Sequence, residues 1–274
     1  MDFLQVLILA LVQALTEFLP ISSSAHLYLS AEWFGWVYQG LIFDLGLHLG
    51  TLFAVLVYFR EDWLRLARAA LAWRPGSALN DDQRMLLGLT LATLPGGVAA
   101  LLLGDANAVA LRNYLVIGIT QIVFGTLLLV AFARASVSTR AERSLSIRDA
   151  VLIGCAQAVA LIPGVSRSGI TMSAGLLLGL ERQAAARFSF LLAVPITAAA
   201  ALHGVLELAR GAGGVDATSF WIGALISAIA GYGCIHFFLS MIRRVGVLPF
   251  FLYRLALGIG LLTMFWLGMQ GSPL

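Results

Sequence analysis

Six stretches of this chain are apolar and long enough to cross a bilayer: 41–59, 85–103, 114–133, 183–205, 218–240 and 249–269. A spanning helix takes roughly 20 apolar residues, so six of them within 274 residues leave no room for a sizeable soluble domain. Composition agrees: 60% of the residues are hydrophobic and 11% charged, against about 45–50% and ~25% in soluble domains. A soluble globular enzyme, a disordered chain and a secreted disulfide scaffold are excluded. Cys155 and Cys234 both lie in apolar stretches and read as small buried hydrophobes, not as a disulfide or a zinc site. No cleaved leader is expected, because Met1-Asp2-Phe3 carries no basic residue and Glu17 interrupts the first apolar run.

Two further apolar segments are broken. Residues 3–36 are interrupted at Pro20 and continue through Ser22-Ser23-Ser24; residues 150–180 are interrupted at Pro163-Gly164 and continue through Ser166-Arg167-Ser168-Gly169. Each half is too short, at about 12–16 residues, to cross ~30 Å of hydrocarbon at 1.5 Å per residue. Paired short helices around such a break read as re-entrant hairpins, which a membrane tolerates only where protein or a wet cavity surrounds them. An offset of 144 residues superimposes Gln13-Ala14-Leu15 on Gln157-Ala158-Val159, and Ile21-Ser22-Ser23-Ser24-Ala25 on Val165-Ser166-Arg167-Ser168-Gly169.

All 17 basic residues are arginine, which excludes any mechanism that needs a lysine. They cluster in 60–84, 134–148, 181–187 and 243–248, and the positive-inside bias puts those connections in the cytoplasm. Three spans then separate the two broken segments, so the second enters from the side opposite the first. The expected fold is an all-α polytopic membrane protein, an inverted-topology repeat of six transmembrane helices and two re-entrant hairpins. Its halves are 1–149 and 150–274, with an amphipathic helix over Glu61–Trp73 lying along the cytoplasmic interface.

Charge inside such a fold is informative, because a charged side chain at a span centre costs ~2.5–3.5 kcal/mol on insertion scales. Glu17, Arg167 and His26 fall in or beside the breaks, where an inverted repeat sets Glu17, Ser22, Ser23, Ser24 and His26 opposite Ser166, Arg167, Ser168 and Thr171. These groups suit a phosphate. Helices restarting after the serines aim unpaired N–H groups at an anion, and Arg167 offers a planar fork. Serine can bind phosphate oxygens or attack phosphorus, and His26 can take the hydroxyl proton or attack. Glu17 can orient His26 or hold a divalent cation, with Gln13 one turn away adding an amide carbonyl.

Simpler roles exist for the same residues. Serines at breaks cap the following helix, and an intramembrane Glu–Arg pair can be purely structural. His203 and His236 read as packing residues; Arg254 reads as one that snorkels or pairs. Asp44 and His48, one turn apart, either line the cavity or do not. A transporter or lipid flippase is a second functional reading, because broken helices at the midplane also mark transporters.

The run Gln13-Ala14-Leu15-Thr16-Glu17-Phe18-Leu19-Pro20-Ile21-Ser22-Ser23-Ser24-Ala25-His26 resembles the first signature of the undecaprenyl-diphosphate phosphatase (bacitracin-resistance) family. Pro163-Gly164-Val165-Ser166-Arg167-Ser168-Gly169-Ile170-Thr171 resembles its second. The resemblance covers essentially the whole chain. It implies a bacterial inner-membrane phosphatase that converts the C55 isoprenoid diphosphate to the monophosphate carrier of peptidoglycan synthesis. The active site would open to the periplasm and depend on a divalent cation, Mg²⁺ or Ca²⁺. The resemblance assigns Glu17, Ser23, His26 and Arg167 to catalysis, with Glu17 also the metal ligand. Gln13, Ser22, Ser24, Ser166, Ser168 and Thr171 become substrate-binding positions, and Ser23 or His26 the nucleophile. Undecaprenyl diphosphate is the expected partner and a homodimer a candidate assembly; nucleic acid is not expected. Two positions depart from the pattern: Gln13 stands where many relatives have a second glutamate, and His48 where the pattern has glutamine.

Overall fold

The computed structural model describes residues 1–135, 138–211 and 214–269, apart from the side chains of 104–109. The described residues form eleven α-helices, one 3-10 turn (Glu142–Ser144) and no strand. In chain order the helices are α1 (Phe3–Phe18), α2 (Ser23–Phe34), α3 (Leu41–Tyr58), α4 (Arg60–Leu71), α5 (Asp81–Ala110) and α6 (Tyr114–Arg134). They continue with α7 (Ile147–Val159), α8 (Arg167–Leu177), α9 (Arg182–Ala209), α10 (Ala217–Arg244) and α11 (Leu248–Trp266). Six of them, α3, α5, α6, α9, α10 and α11, are long and apolar enough to span a membrane. They coincide with the six runs read from the sequence, so the chain is a multi-pass membrane protein. α4 forms where the amphipathic segment was expected.

The two broken segments become the helix pairs α1–α2 and α7–α8. Asp2 starts α1 by accepting from the Gln5 N–H at 2.7 Å, and Ser146 starts α7 with a reciprocal capping box to Asp149. Both first helices end at a proline-containing turn. Within each turn the residue before the next helix is a serine with positive φ, Ser22 at 78° and Ser166 at 72°. Among the described residues no other non-glycine has positive φ, and the two are 144 positions apart. Left-handed backbone strains a side chain other than glycine by about 1–3 kcal/mol and persists only where the surroundings enforce it.

Those surroundings are Arg254 and two residues of α6. Arg254 is fully buried, and its guanidinium donates to Pro20 O (2.9 Å), Gly164 O (2.9 Å), Val165 O (3.2 Å), Thr120 O (3.1 Å) and Gln121 O (3.1 Å). Gln121 Nε2 donates to Ile21 O at 2.9 Å, and Thr120 Oγ1 donates to Pro163 O at 2.8 Å. Carbonyls that the turns withdraw from helical hydrogen bonds thus find donors within the protein. Arg254 therefore neither snorkels nor pairs with an acid, in contrast to the expectation from its place in a span. Hydrogen-bond capacity explains the difference: five N–H groups in one plane can serve two turns together.

Close helix contacts set the rest. A Cβ on Gly50 of α3 would overlap the Ala224 carbonyl of α10, and a Cβ on Gly164 would overlap the Thr120 hydroxyl. Phe18, Phe190, Phe238 and Phe250 pack edge-on or tilted as successive ring pairs 5.5, 5.7 and 5.7 Å apart, joining α1, α9, α10 and α11. Ion pairs link three of the arginine-bearing connections. Asp62 meets Arg65 (2.7 Å) and Arg187 (3.0 Å), Arg187 meets Glu142 (3.1 Å), and Arg65 meets Asp82 (2.9 Å). The three connections assigned to one side by charge therefore do meet. Cys234 is buried as expected, but Cys155 is exposed on the outside of α7, because α7 turns its glycine and alanine face toward α5.

Arg254→Lys keeps the charge but supplies only three donors from a single point. It should lower stability by about 3 kcal/mol or more, since hydrogen bonds to charged groups contribute ~1.5–3 kcal/mol each. Thermal unfolding in detergent, compared with the exposed Arg60→Lys, measures this.

Candidate active site

A cavity of about 210 Å³ lies where the two turns face each other. Its polar wall comes from Thr16 and Glu17 of α1, Ser22, Ser23 and Ser24, His48 of α3, Gln157 of α7, Ser166, Arg167, and Thr197 of α9. Ala160, Leu161, Ile196 and Ala200 form the apolar remainder. The helices α2 and α8 both begin at this wall, so their first N–H groups and positive dipole ends are near the cavity.

Glu17 sits at the centre of the polar contacts and is only 8% exposed. Its Oε1 accepts from Arg167 Nη2 at 2.8 Å; its Oε2 accepts from Ser23 Oγ at 2.6 Å and Gln13 Nε2 at 3.1 Å. His48 Nε2 is 3.6 Å from the same Oε2. Arg167 also donates to Ser189 O at 3.2 Å. Beneath it, Thr171 donates to Arg167 O at 2.8 Å and shares a 2.7 Å hydrogen bond with Ser189 Oγ. The guanidinium is therefore fixed from its backbone as well as from its tip.

The sequence-derived residues divide by position. Glu17, Ser22, Ser23, Ser24, Ser166 and Arg167 meet at the cavity. Gln13 is fully buried behind Glu17. Ser168 hydrogen-bonds Ser166 Oγ (3.2 Å) and Leu19 O (3.3 Å), fastening one turn to the other, and Thr171 braces Arg167. His26 is not part of the cavity wall. Its Nδ1 is 2.6 Å from Ser22 O and its Nε2 is 2.6 Å from Tyr253 Oη, with the two rings stacked.

His48 lines the cavity, whereas Asp44 does not: its carboxylate accepts from Tyr38 Oη at 2.7 Å beside Arg112. The sequence reading did not single out Thr16, Thr197, Ser189 or Tyr253 for the site, and lone polar residues in long apolar helices carry no local signal. Gln157 did carry one, as the offset partner of Gln13.

A protein-held divalent cation does not fit this donor set. Gln13 turns its amide N–H, not its carbonyl, toward Glu17, and its Oε1 has no hydrogen-bond partner among the described residues. No group of three His, Cys, Asp or Glu side chains among the described residues could hold a metal ion. The Mg²⁺ or Ca²⁺ expected from the sequence would have to take most of its ligands from a bound diphosphate.

Fold and site together define an α-helical, multi-pass membrane protein with a polar cavity that carries charged side chains between its helices. The family described as "Bacitracin resistance protein BacA" matches residues 6–260, and the chain belongs to that family. Similar proteins include "Undecaprenyl-diphosphatase 2" of Stutzerimonas stutzeri (strain A1501), 49% identical over 97% of this chain and 99% of that protein. "Undecaprenyl-diphosphatase" of Nitrosococcus oceani is 48% identical over 97% of this chain and 100% of its own length. The protein of the same name from Hahella chejuensis is 47% identical over 97% and 99%.

Removing one partner of a buried ion pair leaves the other charge uncompensated, typically at 3–5 kcal/mol. Arg167→Met alone should therefore destabilise the protein more than Arg167→Met combined with Glu17→Gln. Unfolding midpoints of the two singles and the double in detergent give the coupling, expected at about 1 kcal/mol or more.

Proposed function

We propose that this chain hydrolyses undecaprenyl diphosphate to undecaprenyl monophosphate and inorganic phosphate, returning the lipid carrier to peptidoglycan synthesis and conferring bacitracin resistance. The observation that carries the reading is the convergence of Glu17, Ser23 and Arg167 on one cavity between two helix N-termini. Full-length relatives named as diphosphatases support it. The flippase alternative draws no support from those relatives.

In this reading the terminal phosphate enters the cavity and exchanges part of its hydration for Arg167 and the N–H groups at the starts of α2 and α8. Ser23 Oγ, held by Glu17 Oε2 at 2.6 Å, gives up its proton to that carboxylate as it bonds phosphorus. The bond from phosphorus to the bridging oxygen breaks, and the lipid monophosphate leaves with the proton that Glu17 took, restoring the carboxylate. Water then attacks the phosphoserine; its proton reaches Ser23 Oγ as the Oγ–P bond breaks, and phosphate departs. The fixed guanidinium and helix N–H groups stabilise the equatorial oxygens in both steps. Ser23 is favoured over His26 as nucleophile because Ser23 lines the cavity and His26 does not, its ring nitrogens facing Ser22 O and Tyr253 Oη.

The fold supports a wider reading as well. The halves 1–149 and 150–274 act as inverted repeats, and α1–α2 and α7–α8 as re-entrant hairpins meeting near mid-membrane. Support comes from the matched positive-φ serines and from the short helices, ~24 and ~18 Å for α1 and α2 at 1.5 Å per residue. With the arginine-bearing connections cytoplasmic, the protein resides in the bacterial inner membrane and its cavity opens toward the periplasm.

Purified protein given undecaprenyl diphosphate should release phosphate. Glu17→Ala, Ser23→Ala and Arg167→Ala should each slow release at least ~100-fold, and His26→Ala distinctly less than Ser23→Ala. Unchanged rates in the first three variants would refute the assignment.

A further inference from the structure

We propose that Glu17 is held in a cage of hydrogen-bond donors from Gln13, Ser23 and Arg167, and that this cage fills the space of a protein-held divalent cation. The inference deepens the reading of this cavity as a phosphate site, and rests on it only for the consequence for turnover.

Glu17 is the single carboxylate in the cavity wall. Each of its neighbours presents a hydrogen: the Arg167 guanidinium to Oε1, the Ser23 hydroxyl and the Gln13 amide to Oε2. A hard cation needs the opposite arrangement. Mg²⁺ requires about six oxygens close around it, and Ca²⁺ about six to eight. Gln13 could have supplied one, yet its carbonyl oxygen faces away from Glu17 and has no partner among the described residues, while its N–H₂ faces the carboxylate.

His48 stands at the edge of this cage. Its Nδ1 lies 2.8 Å from Asp44 O, and its Nε2 lies 3.6 Å from Glu17 Oε2, so both ring nitrogens face oxygen acceptors. The carboxylate of Asp44 is turned to Tyr38 and Arg112 and adds nothing to the cavity's negative charge. The wall thus sets one carboxylate against one guanidinium, with no second anion among its described residues. Such a wall offers a divalent cation neither the ring of oxygens nor the excess negative charge it needs.

The test is cation binding by the lipid-free protein. Protein purified in detergent and stripped with EDTA is titrated calorimetrically with MgCl₂ and CaCl₂, and its metal content is measured after gel filtration. The wild type should show no saturable binding below about 1 mM. Gln13→Glu combined with His48→Gln supplies a second carboxylate and replaces the ring with an amide that carries an oxygen. It should bind one ion per chain below about 0.1 mM, and the bound ion should raise its melting temperature. Gln13→Glu alone should bind more weakly, and decides the point where the double variant does not fold.

One ion per chain on the wild type, lost in Glu17→Gln, would overturn the proposal. So would a folded Gln13→Glu variant that binds none. Stripped wild-type protein should retain phosphate release from undecaprenyl diphosphate. Absence of release both with and without added cation counts against the proposed reaction, and leaves the cage to be judged by calorimetry.

Discussion

The guanidinium of Arg254 satisfies carbonyls of both turns at once, and the cavity depends on it. A helix that breaks among packed helices leaves carbonyl groups without partners unless the protein itself supplies donors. Pro20, Gly164 and Val165 belong to the two breaks, and Thr120 and Gln121 to α6; one side chain reaches all five. The positive-φ serines follow from this. Ser22 and Ser166 hold a strained backbone because the carbonyls on their N-terminal sides are tied to Arg254, Gln121 and Thr120. That strain is what lets α2 and α8 restart facing the same space, with Ser23 and Arg167 as their first residues.

The Glu17–Arg167 pair depends in turn on this scaffold. Two charges taken out of water each lose several kcal/mol of solvation, and recover it only with close, well-oriented partners. The pair draws its halves from the two turns, so a small shift of one turn against the other would leave both charges exposed to that penalty. Thr171, Ser189 and Ser168 limit such shifts: the first two fix Arg167 from behind, and Ser168 links its turn to Leu19.

Much of this was legible in the linear chain. The six spans follow from run length, because hydrocarbon thickness sets a length that composition must meet. Glu17 and Arg167 stood out because a charge in an apolar run has to be used or paired. The 144-residue offset marked Ser22 and Ser166 as equivalent, and the structure gives those two the same unusual backbone. Arg254 was misread for a physical reason. A lone arginine in a span is cheapest when it snorkels or finds an acid, and nothing local shows that two distant turns need its five donors. His26 and His48 illustrate the same limit. His26 lies in the motif, yet its ring reaches Tyr253, 227 positions away. His48 lies outside the motif, yet reaches Glu17.

By itself the sequence determined that this is a multi-pass membrane protein, where its helices break, and which charged and hydroxyl groups lie at the breaks. These properties depend on the residue's own chemistry and its immediate neighbours against the fixed thickness of a bilayer. Only the tertiary structure decided which of those groups share a cavity, which way the Gln13 amide faces, and that Arg254 serves backbone and not substrate. Hydrogen bonds act over about 3 Å. Spacing along the chain cannot say which atoms come within that distance once two turns from opposite halves are brought together.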